Sequence, residues 1–149
     1  MKLEKINIAN ILQETLLGKY NDFTRRNLQP NIEIQNENIY IIAEKKSIER
    51  IIENLLSNAI KYSRDNVSIY LEVKSNKVLL KITNTVINLS SQDVEKIFDR
   101  FYMADKTRSE KGTGLGLSIV KTLVEKMNAV ITAEIIDDVL SICCEFERI

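Results

Sequence analysis

Between residues 48 and 60 the chain sets Ile48, Ile51, Ile52, Leu55, Leu56, Ala59 and Ile60 at the i, i+3, i+4, i+7 spacing of one helix face. A helix with so continuous an apolar stripe must cover another layer of structure. The sequence after it supplies that layer. Val67, Ile69, Leu71 and Val73 alternate with Ser68, Tyr70, Glu72 and Lys74. "SNK" makes a turn, and Val78, Leu80 and Ile82 alternate back, which predicts a hairpin with one buried face. A second hairpin is expected to turn at Asp137 and Asp138. There Leu140, Ile142, Cys144 and Phe146 share a face, so Cys144 should be buried and Cys143 outward.

The remaining elements are shorter. Asn7 can cap a helix whose apolar face is Ile8, Ile11, Leu12, Leu16, Tyr20 and Phe23, with Gly18 inside it and Pro30 ending the stretch. "IEI" and "IYIIA" read as two short strands around the polar turn "QNEN". "SQDVEKIF" offers Ser91 as a cap and then a short helix. Residues 103–113 are polar and read as a loop. Ile119, Val120, Leu123, Val124 and Met127 mark another amphipathic helix. The expected fold is α+β: a two-layer sandwich with a mixed, mostly antiparallel sheet and helices on one face. It is expected as one domain over 7–149, with 1–6 as a connector or cloning remnant.

Composition narrows the function. Twenty-one basic residues balance 21 acidic ones, so no bulk charge draws the chain to nucleic acid or a membrane surface. No apolar run approaches the ~20 residues needed to span a bilayer. A soluble, cytoplasmic, monomeric fragment is expected, cut from a membrane-anchored parent. Cys143 and Cys144 are adjacent, which rarely allows a disulfide. The chain has no histidine, which excludes histidine catalysis and histidine metal ligation within it.

Three places break local rules, and such places are where function concentrates. Asn54, Asn58 and Lys61 fall at i, i+4, i+7 and form a polar stripe beside the apolar one. Asparagine is a poor mid-helix residue; a ligand site and a solvated face both fit. Asn84 continues the parity of Val78, Leu80 and Ile82, so it either points inward or sits in a turn past the strand end. In "KGTGLGLSIV", Gly112, Gly114 and Gly116 precede a helix. Such a cluster suits phosphate at a helix N-terminus, or a flexible hinge. It is neither a Rossmann fingerprint nor a Walker loop.

In this order and spacing, the features resemble the Bergerat-fold ATPase and kinase superfamily, and within it the catalytic domain of bacterial sensor histidine kinases. "IIENLLSNAIKYS" (51–63) looks like the family's asparagine box, "IFDRFY" (97–102) its phenylalanine box, and "GTGLGLSIVK" (112–121) its second glycine box. The resemblance implies ATP as substrate and Mg²⁺ as cofactor, with an oxygen of Asn58 on the metal. It implies that Asn54 supports the phosphates, that Lys61 contacts them, and that Tyr62 lies against the base. The backbone around Gly112, Gly114, Leu115 and Gly116 would hold phosphate, and Asn84, Val86 and Tyr102 would complete the nucleotide site. Residues 103–113 would form a lid, with Arg108 and then Lys111 as catalytic cations on the γ-phosphate. The acceptor histidine would lie on a helical dimerisation domain of the parent chain, which would pass the phosphoryl group to a response regulator.

One box departs from the family pattern. Where the family has Asp-x-Gly-x-Gly, this chain has Asn84, Val86 and Asn88 in "NTVIN". Asn84 can accept a hydrogen bond from the adenine amino group, but more weakly than a carboxylate. Its amide can also flip and donate, which would relax discrimination against guanine. The residue four before the metal asparagine is Asn54, whereas hydrolytic members and anti-sigma serine kinases have a glutamate there. Asn54 cannot act as a general base, and Glu53 points about 100° around the helix. A neutral imidazole acceptor is already nucleophilic near pH 7, so transfer to histidine is the expected chemistry. A degenerate binding module and an anti-sigma-type serine kinase are the alternatives.

Overall fold

A computed structural model describes residues 1–102 and 116–149. The chain runs β1 (Glu4–Asn7), α1 (Ile8–Gly18), α2 (Tyr20–Arg25), β2 (Asn31–Ile34), β3 (Tyr40–Ala43) and α3 (Lys45–Tyr62). It continues β4 (Val67–Lys74), β5 (Lys77–Thr85), α4 (Ser91–Glu95), α5 (Gly116–Lys126), β6 (Val130–Ile136) and β7 (Val139–Glu147).

The main sheet has five strands in the order β2-β4-β5-β7-β6, antiparallel except where β2 joins β4. Alternation aligns its buried rows. Leu80 pairs with Leu71 and Cys144, Ile82 with Ile69 and Ile142, and Val78 with Val73 and Phe146. α3 closes over this face and packs against α1, α5 and β5. Ile48, Ile51, Ile52 and Leu56 have no exposed surface. Each such side chain stabilises the fold by about 1.5–3 kcal/mol. The α+β sandwich with helices over one face of a mostly antiparallel sheet is therefore the fold observed.

Several expectations need correcting. The stretch read as a connector over 1–6 overlaps β1, which pairs antiparallel with β3 and buries Ile6. Asn7 does cap α1, accepting from the N–H groups of Ala9 and Asn10. The first helix, however, breaks at Lys19, so Tyr20 leaves the apolar face and stands 69% exposed. β2 and β3 form where expected; β2 pairs parallel with β4 across the crossover through α3, and β3 pairs with β1. The short helix α4 is capped by Ser90, not Ser91. Asp93 lies three residues beyond Ser90, so side chain and backbone exchange bonds in a capping box.

The hairpin at Asp137–Asp138 forms as expected, and both residues take positive φ, 51° and 61°. Cys144 is buried and Cys143 is half-buried on the other face. Burial pushes both thiols up. No helix among the described residues is long and apolar enough to cross a membrane.

Candidate functional site

The site begins on α3. Asn54, Asn58 and Lys61 line one side of the helix and are half-buried, between the fully covered apolar stripe and open solvent. Tyr62 follows, 38% exposed, with the Lys61 ammonium 5.2 Å from its ring centre. α5 comes up against this stripe at its first residue. A Cβ placed on Gly116 would lie 3.9 Å from Asn54 Oδ1. The polar side of α3 thus meets a helix start, where backbone N–H groups lack intrahelical partners and the dipole end is positive. Arg108, Lys111, Gly112, Gly114 and Leu115 lie outside the described residues.

The second wall is the end of β5. Asn84 sits opposite Val67 and Leu140, closing the buried row on the helix-covered face, and is only 3% exposed. Its Nδ2 donates to Thr85 O at 3.2 Å. That bond uses one of the two amide hydrogens and orients the side chain, with the carbonyl oxygen as the end able to accept from a ligand. Beyond it, Val86 is buried and donates its N–H to Asp138 O at 2.9 Å. Asn88 takes φ 56°, a left-handed conformation that asparagine tolerates better than most side chains. The backbone turn that a glycine would serve is therefore still made.

A set of bonds not visible in the motifs joins these walls. Thr85 Oγ1 accepts from the N–H groups of Asp65 and Asn66, both at 3.0 Å, and donates to Asp65 Oδ1. Arg64 N–H donates to Thr85 O, and Thr85 N–H to Asn66 O. Ser63, 2% exposed, exchanges bonds with the Asn66 backbone. The end of α3 and the end of β5 are therefore knotted together, fixing Lys61 and Asn84 on one frame. The sequence signal was faint: Ser63 and Asn66 three apart after a helix, a local serine turn.

The phenylalanine motif lies beside α5, with the Lys121 ammonium 5.7 Å from the Phe98 ring centre. Tyr102, half-buried, donates its hydroxyl to Asp93 at the start of α4. Desolvation, and then this bond, push the phenol up to about 12. Asp93 is held below the usual carboxylate range, first by the Ser90 N–H and then by the Tyr102 hydroxyl.

Among the described residues no group of three or more His, Cys, Asp or Glu could hold a metal. The polar stripe offers the amide oxygens of Asn54 and Asn58 instead. That donor set fits Mg²⁺, which is commonly bound through few protein ligands together with substrate phosphates and water.

Residues 43–142 match the family model described as histidine kinase-, DNA gyrase B- and HSP90-like ATPase. Sensor histidine kinase YcbM of Bacillus subtilis (strain 168) is 28% identical over 136 residues, covering 89% of this chain and 44% of its own length. Sensor protein kinase WalK of Staphylococcus haemolyticus (strain JCSC1435) is 37% identical over 111 residues, 70% of this chain and 18% of its own. The chain thus spans less than half the length of these relatives. Among solved structures, the catalytic domain of histidine kinase ThkA superposes with TM-score 0.86 at 24% identity, over 99% of both chains. The same kinase in complex with response regulator protein TrrA gives TM-score 0.82 at 21% identity, over 99% of this chain and 42% of that one.

Proposed function

Since the chain belongs to the family of histidine kinase-, DNA gyrase B- and HSP90-like ATPases, and its relatives are sensor histidine kinases, we propose that it binds Mg-ATP and gives the γ-phosphoryl group to a histidine on another domain. The observation that supports this most directly is the approach of Asn54 Oδ1 to Gly116. It sets an amide-lined helix face against a helix start suited to phosphate.

In the proposed complex Asn84 accepts from the base amino group, and Tyr62 covers the base. Asn54 and the start of α5 bind the phosphates, and Lys61 adds a point charge to them. Asn58 offers the oxygen for Mg²⁺, which when bound neutralises charge on the β- and γ-phosphates. Arg108 and Lys111, outside the described residues, are the proposed cations for the γ-phosphoryl. The P–O bond to ADP breaks and a P–N bond to the incoming imidazole forms, so positioning and charge neutralisation carry most of the acceleration. Glu53 is engaged by the Lys19 ammonium, which favours transfer over base-assisted hydrolysis. The acceptor would stand on a helical dimerisation domain of the parent chain, and a response regulator would receive the group from there.

The test is incubation with γ-labelled ATP and Mg²⁺, with and without a histidine-bearing dimerisation domain supplied as a separate protein. Label is expected on the added domain, lost in acid and retained in alkali. Acid-stable label on a serine would overturn the assignment.

A further inference from the structure

We propose that Lys19, outside every motif of the site, is a positioning residue that sets the rotation of α3 and hence of Asn54 and Asn58. Lys19 is the single residue between α1 and α2, and its backbone is held by both. Its N–H donates to Thr15 O and Leu16 O at 3.1 and 3.0 Å, and its carbonyl accepts from Phe23 N–H at 3.0 Å. From that fixed point the side chain, 14% exposed, reaches α3. The ammonium pairs with Glu53 and donates to Ser57 Oγ at 3.0 Å, with Asp22 Oδ2 4.0 Å away.

Glu53 and Ser57 are one helical turn apart, and each immediately precedes an asparagine of the stripe. One cation therefore spans two successive turns of α3 on the flank next to Asn54 and Asn58. A second bond completes the clamp: Arg26 Nη2 donates to Ser63 O at 2.5 Å, at the helix end. Between the two points an open cleft of ≈ 410 Å³ lies along Asp22, Arg25, Ser57 and Ile60. The apolar stripe fixes α3 against the sheet, and on this less fully packed flank the polar bonds add the finer restraint on its rotation.

The lever arm makes this matter. Side-chain tips stand about 5–6 Å from a helix axis, so a rotation of about 10° moves an amide oxygen by roughly 1 Å. A metal ligand does not tolerate that displacement well. Glu53, unsuited to act as a base, thereby acquires a role as the anchor of the clamp.

The inference rests on the nucleotide-site reading, and the experiment separates the two. Mg-ADP is titrated calorimetrically into the 149-residue chain, its Lys19→Met and Lys19→Arg variants, and the Glu53→Gln/Ser57→Ala double variant, in Mg²⁺ and again in EDTA. Lys19→Met should weaken binding about tenfold in Mg²⁺, the low end for removing a support of a metal ligand. It should weaken binding far less in EDTA. Lys19→Arg should restore most of the affinity. The double variant, which keeps Lys19 and serves should Lys19→Met fail to fold, should reproduce the Mg²⁺-specific loss. Equal losses with and without Mg²⁺, or wild-type affinity in Lys19→Met or in the double variant, would overturn the clamp. Failure of the wild type to bind Mg-ADP would overturn the nucleotide site itself.

Discussion

At the scale of single residues, the asparagines divide the work by their surroundings. Asn58 is half-buried on a polar stripe, so truncating it removes little packing. A ligand at 100 times its dissociation constant stabilises by about 2.7 kcal/mol, a melting shift on the order of 5–10 °C at this size. Thermal melts of the wild type with ADP and Mg²⁺ should show that shift, and Asn58→Ala should show none; an equal shift in both would remove the metal role. Asn84 is a different case, because it is almost fully covered and its amide nitrogen is bonded to Thr85 O. Asn84→Asp exchanges that donor for a carboxylate beside a carbonyl oxygen, so the empty protein should lose about 1–3 kcal/mol by denaturant titration. The same carboxylate accepts more strongly from a base amino group. Calorimetry with ATP and GTP should therefore show a higher ATP preference in the mutant, by about 1 kcal/mol. An unchanged ratio would mean that Asn84 does not read the base.

At the scale of elements, α4 gives the clearest pH dependence. Asp93 is held below its ordinary range by the Ser90 N–H and then the Tyr102 hydroxyl, so its ionised form favours the folded state. That contribution is complete above the unfolded value of about 4 and is lost as pH falls through the lower folded value. The melting temperatures of wild type and Asp93→Asn should differ at pH 7, begin to approach near about pH 4 and converge only below the depressed folded value. Ser90→Ala should cost about 1 kcal/mol at neutral pH, whereas Ser91→Ala should cost little. Adjacent serines look alike in a sequence, and the choice was made by Asp93 three residues beyond one of them. The same logic explains what could be read elsewhere. α3 and both hairpins follow from periods of 3.6 and 2, which are local; the same parity left Asn84 either inward or past the strand end, and β5 runs on to Thr85 with Asn84 buried. The β2–β4 pairing, the Thr85 knot and the Lys19–Glu53 bridge join distant residues, the last 34 apart, and beyond the local Ser63–Asn66 turn nothing in their own neighbourhoods announces them. The residues of the candidate site stand out as motifs along the chain; the braces that hold them do not.

At the scale of the molecule, absence of histidine separates binding from transfer. The chain by itself should take up Mg-ATP yet carry no covalent label from γ-labelled ATP, acid-labile or acid-stable; label that stays with the denatured isolated chain on a gel would contradict this. The sheet also carries information about time. β7, the last in chain order of the described strands, is interior to the sheet, between β5 and β6, and it pairs with β5 from Lys77–Glu147 to Thr85–Val139. On a ribosome, α3, β4 and β5 are complete while the apolar row of β5 still lacks a neighbour on one side. Domains with such distant pairings close slowly and expose strand edges while they wait. A chain stopped after Asp138 should remain protease-sensitive and prone to associate, however well its motifs are formed. Synthesis of the nine residues of β7 is then the event that commits this sheet, and the candidate site built on it, to a single folded state.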